Sequence, residues 1–192
     1  FIEIPNKYYK GRTSIPQKIE LTEDFLSFVG LYIAEGSGGT NRININLHKD
    51  EQYLIDLVDR FAKSIGYNVK SRVIGNGIVL QINCKILKEW FSDWLGRGST
   101  NKKMPNEFLQ LPVEKLKHIA YGIFSGDGKK KKNNIEQTSL TLALQLMEVG
   151  VRLGLQPTTN SINYSKNNNH SNTYTTHEFL KSEHNFKQKK YT

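Results

Sequence analysis

Apolar positions along this chain recur at helical spacing in some stretches and alternate in others, and the switches mark out its elements. Residues 21–34 are mostly apolar and follow a polar stretch. Thr22 is suited to cap a helix, and Glu23 and Asp24 suit its positive end, so a helix is predicted over about 23–35. SGGTN then reads as a turn. Residues 42–48 alternate strictly: Ile43, Ile45 and Leu47 share one face, and Arg42, Asn44 and Asn46 share the other. That is a half-buried strand with a basic, amide-bearing face. Asp50 is expected to cap a helix to about residue 65, with Tyr53, Leu54, Leu57, Val58 and Phe61 at helical spacing and Gly66 as its stop. Strands over 67–73 and 78–83 flank the turn signal IGNG, and Asn68, Lys70 and Arg72 share a face. A helix over 84–95 carries Ile86, Leu87, Trp90, Phe91 and Trp94 on its apolar side.

After the Gly- and Pro-punctuated GRGSTNKKMPNEF the pattern restarts. A helix is predicted over 113–125, a strand over 134–138, and a helix from a Ser139 cap to about 153, stopped by Gly154. Strands follow near 157–164 and 173–180, separated by the polar SKNNNHSN, and the basic SEHNFKQKKYT closes the chain. The order helix-strand-strand-helix-strand-strand-helix thus runs twice, over about 22–100 and 112–192, with the last helix shortened. The expected fold is α+β: two pseudo-twofold-related αββαββα halves, about 20–105 and 106–192, in one domain of 192 residues. The amino-terminal FIEIPNKYYKGRTSIPQ has no apolar signal core and reads as a fragment start or an extended arm.

The repeat shows most clearly in FVGLYIAEG (28–36) and AYGIFSGDG (120–128), each an apolar run ending in a carboxylate and Gly. Gly30 and Ala34 lie four residues apart, as do Gly122 and Gly126. Small residues at that spacing make a flat stripe, so the two helices can approach more closely than the usual 8–10 Å between axes. Leu31, Tyr32, Ile33, Ile123 and Phe124 then point into their own halves. Glu35 and Asp127 fall at adjoining helix C-termini, where the partial negative charge opposes them. A divalent cation resolves that conflict. Oxygen ligands with open positions suit Mg²⁺, which takes its remaining ligands from water and phosphate. One such motif alone reads more readily as a helix C-cap. Two in matching positions do not.

Charge sharpens the picture. The net charge is +9, spread over strands and loops, which favours a polyanion partner, most simply nucleic acid. No apolar run approaches the roughly 18 residues needed to span a bilayer. The single Cys84 excludes an internal disulfide framework and a multi-Cys zinc site, so an intracellular, reducing compartment is expected. His48, His118, His170, His177 and His184 show no paired metal-ligand spacing.

The two motifs resemble the LAGLIDADG dodecapeptide. NLHKDEQYLIDLVDRFAKSIGY and GRGSTNKKMPNEFLQLPVEKLKHIAYGIFSGDG resemble the segments around the motifs in intein-type members of that homing-endonuclease family. The likeness is good over about 19–155 and only positional beyond. It implies a monomer that lays two β-saddles in the major groove of a long, asymmetric double-stranded DNA site. It also implies Mg²⁺-dependent cleavage, with Mn²⁺ as a substitute, across the minor groove to leave short 3′ overhangs. The implied metal set is Glu35 and Asp127 with Ala34 and Gly126. KKMP places the implied catalytic lysine at Lys102, with Met104 where Ile is usual. Its role would be to stabilise phosphate charge or orient the attacking water. The first motif ends in Glu rather than Asp, and the sixth motif positions hold Ile33 and Ser125 rather than Asp. A second catalytic lysine is not placed: Lys129, Lys130 and Lys181 are candidates, and Lys129 to Lys132 read equally as a solvated phosphate-binding loop. Splicing signals, an N-terminal Cys or Ser and a C-terminal His-Asn, are not seen, so an excised or freestanding endonuclease is expected, intein or intron encoded.

On this reading Arg42, Asn44, Asn46, Asn68, Lys70, Arg72, Gln81 and Asn83 face DNA from the first half, with Lys129, Lys130 and Lys181 from the second. Arg and Lys suit guanine edges, and Asn and Gln suit adenine edges. Glu136, Thr138, Asn160, Asn163, Thr175 and His177 are weaker candidates. Two rivals stand beside the endonuclease. One is a cleavage-inactive relative of the same fold, an RNA maturase or transcription regulator. The other is an unrelated RNA-binding module, which needs no paired acidic motifs and for which no RNP pattern is present.

Overall fold

The computed structural model describes residues 1–9, 15–129, 134–162 and 173–177. Two helices form its centre. α1 (Glu23–Glu35) starts where Thr22 Oγ1 accepts the Phe25 N–H at 3.2 Å, as the sequence predicts. α5 (Val113–Asp127) runs two residues past its expected end, so both helices finish on their carboxylates. The small-residue stripes face each other. A Cβ on Gly30 would sit 2.2 Å from the Ile119 carbonyl oxygen, and one on Gly122 would sit 2.1 Å from that of Ser27. Only glycine permits that approach. Leu31, Tyr32, Ile33 and Ile123 are buried away from the stripe, and Phe124 is half-buried.

Each motif helix feeds an antiparallel four-stranded sheet. The first has the order β3 (Gly36–Gly38), β4 (Ile43–His48), β6 (Gly77–Ile82), β5 (Val69–Ile74). The second has the matching order β7 (Gly128–Lys129), β8 (Asn134–Gln137), β10 (Thr173–His177), β9 (Thr158–Ile162). Ile43, Ile45, Leu47, Leu80 and Ile82 turn inward. They pack with α1, α2 (Gln52–Ser64) and α3 (Lys85–Trp94) around Phe28 and Phe61, whose rings stack at 3.8 Å. α6 (Leu140–Arg152) starts at Ser139, whose Oγ accepts the Leu142 N–H, and buries Leu142, Leu146 and Val149. α4 (Asn106–Leu109) lies in the connection between the halves. The two sheets have the same internal order about the α1–α5 pair. That is the expected α+β architecture.

Three details differ from the sequence reading. SGGTN is not all turn: Gly36–Gly38 pairs with β4, and the turn closes where the Gly39 N–H meets the Arg42 carbonyl at 2.8 Å. Three small residues carry no alternation to reveal a strand. Asp50 does not cap α2. The N-cap is Glu51, whose Oε2 accepts the His48 N–H at 2.9 Å rather than a helix N–H. The amino-terminal segment is not an extended arm: β1 (Ile2–Glu3) pairs with β2 (Lys18–Ile19), and Ile4, Tyr8, Ile15 and Ile19 are buried. Positive φ at Gly66 (82°) and Gly154 (77°) marks the predicted helix stops. The shortened last helix and the basic tail lie outside the described residues.

Candidate active site and nucleic-acid interface

The helix C-termini bring the two acids to one place. A Cβ on Gly126 would sit 2.6 Å from Ala34 Cβ and 2.9 Å from Glu35 Cγ, so Ala34, Glu35, Gly126 and Asp127 are gathered together. A groove of about 500 Å³ opens over them, and Lys102, Arg97, Ser99 and Gln137 also line it.

Lys102 enters from the connection before α4. Its Nζ donates to the Tyr32 carbonyl at 2.7 Å and the Gly36 carbonyl at 2.9 Å, and lies 4.2 Å from the Tyr32 ring centre. An ammonium at the negative end of α1 is well placed electrostatically. The second half aims it. Ser139 Oγ donates to the Lys102 carbonyl at 2.6 Å, and the Gln145 amide exchanges two 2.7 Å hydrogen bonds with the Met104 backbone. Two of the three ammonium donors are thus used, and one is left for the groove.

Burial works against charge on all three ionisable groups. Glu35 is pushed up to about 7 by burial, then by the Asp127 and Glu51 carboxylates, with Lys102 opposing. Asp127 is also raised by burial, against a 2.6 Å hydrogen bond from Gln137 Nε2 and the charge of Lys102. Lys102 is lowered to about 8 by burial, against the attraction of Asp127 and Glu35. Two carboxylates held together against their charged forms fit a divalent cation, which would offset both the repulsion and the lost hydration. Among the described residues no group of three or more His, Cys, Asp or Glu is arranged for a metal. A cation here would therefore draw its other ligands from backbone oxygens, water and phosphate.

The first sheet assembles the sequence-predicted face. Ser37, Asn44, Gln81 and Lys70 pair across it in one row, and Asn46, Val79 and Arg72 in the next. Arg42, Asn83 and Asn68 stand one residue beyond the last pairs, on the same face. Arg42, Asn46, Asn68, Lys70, Arg72 and Asn83 are exposed, and Asn44 and Gln81 half-buried. In the second sheet Glu136 pairs with Thr175, and Thr175 with Asn160. Thr175 is only 4% exposed, so it is packed among its neighbours rather than offered outward. Thr138 lines the groove. Lys129 and His177 are placed by backbone alone, and Lys130, Asn163 and Lys181 lie outside the described residues.

Two site features escape sequence reasoning. Gln137 is the partner of Asp127, legible only once the β8 register is known. Asn134 stands where Asn44 stands in the other sheet, since Gly128 pairs with Ile135 as Gly36 pairs with Ile45. Among the described residues both amides have a buried Oδ1 without a hydrogen-bond partner.

No protein-family model matches the chain. Among solved structures, a variant of the homing endonuclease I-DmoI, in complex with its target DNA and in the presence of manganese, aligns over 82% of this chain and 87% of its own. The TM-score is 0.61 at 12% identity. I-DmoI in complex with DNA and Mn gives 0.59 over 82% and 90%.

The chain has the LAGLIDADG homing-endonuclease fold.

The same fold extends to full-length DUF199/WhiA of Thermatoga maritima, with a TM-score of 0.50 over 85% of this chain and 53% of that one at 10% identity. Curated relatives are similar in sequence over short parts of their length. The uncharacterized protein MJ0043 of Methanocaldococcus jannaschii is 33% identical over 151 residues, covering 74% of this chain and 18% of that protein. The DNA-directed RNA polymerase subunit Rpo1C of the same organism is 29% identical over 119 residues, 60% of this chain and 14% of the relative. The iron-sulfur cluster assembly SufBD family protein Rv1461 of Mycobacterium tuberculosis is 26% identical over 159 residues, 76% and 19%. The chain thus spans less than a fifth of each of these relatives. Among the described residues no helix is long and apolar enough to cross a membrane.

Proposed function

We propose that this chain is a site-specific double-strand DNA endonuclease of the homing type, acting as a monomer of two pseudo-symmetric halves, about 20–105 and 106–192. The observation that carries this reading is the convergence of Glu35, Asp127 and Lys102 on one groove beside a face of basic and amide side chains. Glu35 and Asp127 hold Mg²⁺, or Mn²⁺ in its place, with Ala34 and Gly126 beside them. The bound ion supplies neutralising charge at the phosphodiester and a water of lowered pKa. Lys102 offers its remaining N–H to the phosphate oxygens or to the attacking water, and Gln137 fixes the Asp127 carboxylate. The row of Asn44, Gln81 and Lys70, and the flanking Arg42, Asn46, Asn68, Arg72 and Asn83, read bases in the major groove. Lys129, Lys130 and Lys181 add phosphate contacts from the second half.

Kinship with short parts of relatives as differently named as a polymerase subunit and an iron-sulfur assembly protein supports a further point. A match confined to a short part of differently named, much longer proteins suits an inserted unit of intein- or intron-encoded origin.

The test is selection and cleavage. Duplexes are selected from a random library in Ca²⁺, then Ca²⁺ is exchanged for Mg²⁺ and strand breaks are mapped. Breaks on both strands at one fixed position, a few bases apart, are expected. Tight binding without breaks would replace the endonuclease with a non-cleaving nucleic-acid-binding protein of the same fold.

A further inference from the structure

A second cavity of about 440 Å³ adjoins the metal groove, lined by the amino-terminal segment, α3 and the loop after it. Ser92 and Arg97 line both cavities, so the two adjoin at these side chains. Its charges divide unevenly. Asp93 accepts a hydrogen bond from Tyr8 Oη at 2.9 Å and has Lys7 Nζ at 3.9 Å. Glu89 has Lys85 Nζ at 3.8 Å. The acids are therefore matched within the protein. Among the described residues the side chains of Lys88 and Arg97 have no such partner.

The stem of Lys88 and the backbone that carries Arg97 are held in place. Lys88 packs its stem toward the end of β3: a Cβ on Gly38 would lie 3.7 Å from Lys88 Cε and 3.4 Å from Ser92 Oγ. Arg97 sits between Gly96 and Gly98, at φ 87° and 76°. A Cβ on Gly96 would fall 1.8 Å from the Asn101 carbonyl oxygen, and Asn101 Nδ2 donates to the Arg97 carbonyl at 3.1 Å. The loop that presents the guanidinium is thus tightly closed on itself.

We propose that Lys88 and Arg97 form a phosphate track, adjoining the metal groove, that binds the DNA backbone where it leaves the first-half edge of the groove. The assignment rests on the DNA-binding reading above. A guanidinium and an ammonium with no acid partner among the described residues suit successive phosphates, which they neutralise without reading sequence. Arg97 at the junction of the two cavities is placed to seat the phosphate next to the one being cut, and Lys88 the one beyond.

The experiment is a salt titration of binding to a random-sequence DNA duplex in Ca²⁺, followed by fluorescence anisotropy. The full chain is compared with Lys88→Gln/Arg97→Gln and with Lys63→Gln, a lysine on α2 paired with Asp59. Removing one cation from a phosphate lowers the slope of log K against log salt by about 0.9. The double variant is expected to lower the slope by about 1.8, and Lys63→Gln to leave it unchanged. Should the double variant fail to fold, each single variant is expected to lower the slope by about 0.9. A parent-like slope in a folded variant, with the parent binding normally, overturns the track alone. Failure of the parent to bind DNA at any salt overturns the DNA-binding reading and the track with it.

Discussion

Glu35 shows what the site demands of a single side chain. It ends α1, packs against Gly126, and shares its surroundings with Asp127 and the buried Lys102 ammonium. Its folded pKa of about 7 lies above the unfolded value of 4.5, so unfolding releases its proton at pH values where the folded protein keeps it. Metal-free protein is therefore expected to lose stability as pH rises from about 4.5 through 7, read by urea unfolding across that range. Glu35→Gln flattens part of the slope, and Asp127, also raised, accounts for a further part. Mg²⁺ acts in the opposite sense because it binds the charged forms. The stabilisation it gives should be larger at about pH 7.5 than at about pH 5, on either side of the Glu35 titration, and absence of that difference would argue against metal at these acids. For chemistry, Glu35→Gln or Asp127→Asn should each lower cleavage by about 10²-fold or more while leaving Ca²⁺-supported DNA binding intact. Cleavage that persists in both variants would remove these acids from the mechanism.

At the scale of elements, the α1–α5 contact sets the distance between the acids. Gly30 and Gly122 lie against backbone, not against side chains that can move aside. Gly30→Ala must force the helices apart, and a cost of about 3 kcal/mol is expected by urea unfolding. Cleavage should fall as well, since separating the helices separates Glu35 from Asp127. Gly66→Ala is the comparison. Its φ of 82° is strained for Ala, but nothing lies within 4 Å of its Cβ position. A cost of about 1–2 kcal/mol with cleavage unaltered is expected there. The helix stops at Gly66 and Gly154, the Thr22 and Ser139 caps and the small-residue stripe were legible in the sequence because each depends on residues within a turn or two. The strand Gly36–Gly38 was not, because three small residues owe their extended conformation to pairing with β4.

For the whole molecule, asymmetry is the main consequence. Among the described residues the first sheet presents Lys70, Arg72, Gln81 and Asn46 in register, whereas the second places Glu136 beside a buried Thr175. The half-site under the first sheet should therefore be read more strictly. Arg72→Ala is expected to cost about 1–3 kcal/mol of binding and to relax preference at one position of that half-site only. Measuring affinity against a selected target altered base by base checks this. Uniform weakening at all positions would assign Arg72 to phosphate instead.

The amino-acid sequence by itself determined the order of the longer helices and strands after residue 22, the doubled motif and the basic face of the first half. Those follow from periodicity, caps and alternation, which act between near neighbours. It also marked both acids, because a carboxylate before Gly at a helix end is a local pattern. Only the tertiary structure decided which groups those acids meet. Lys102 reaches carbonyls 66 and 70 residues away, and Ser139 and Gln145 of the other half hold its segment in place. Gln137 reaches Asp127 through the position of β8 beside β7. Arg97 is set at the groove by a loop closed on Asn101. Such partnerships arise when packing brings distant segments together, and no local spacing in the chain encodes them.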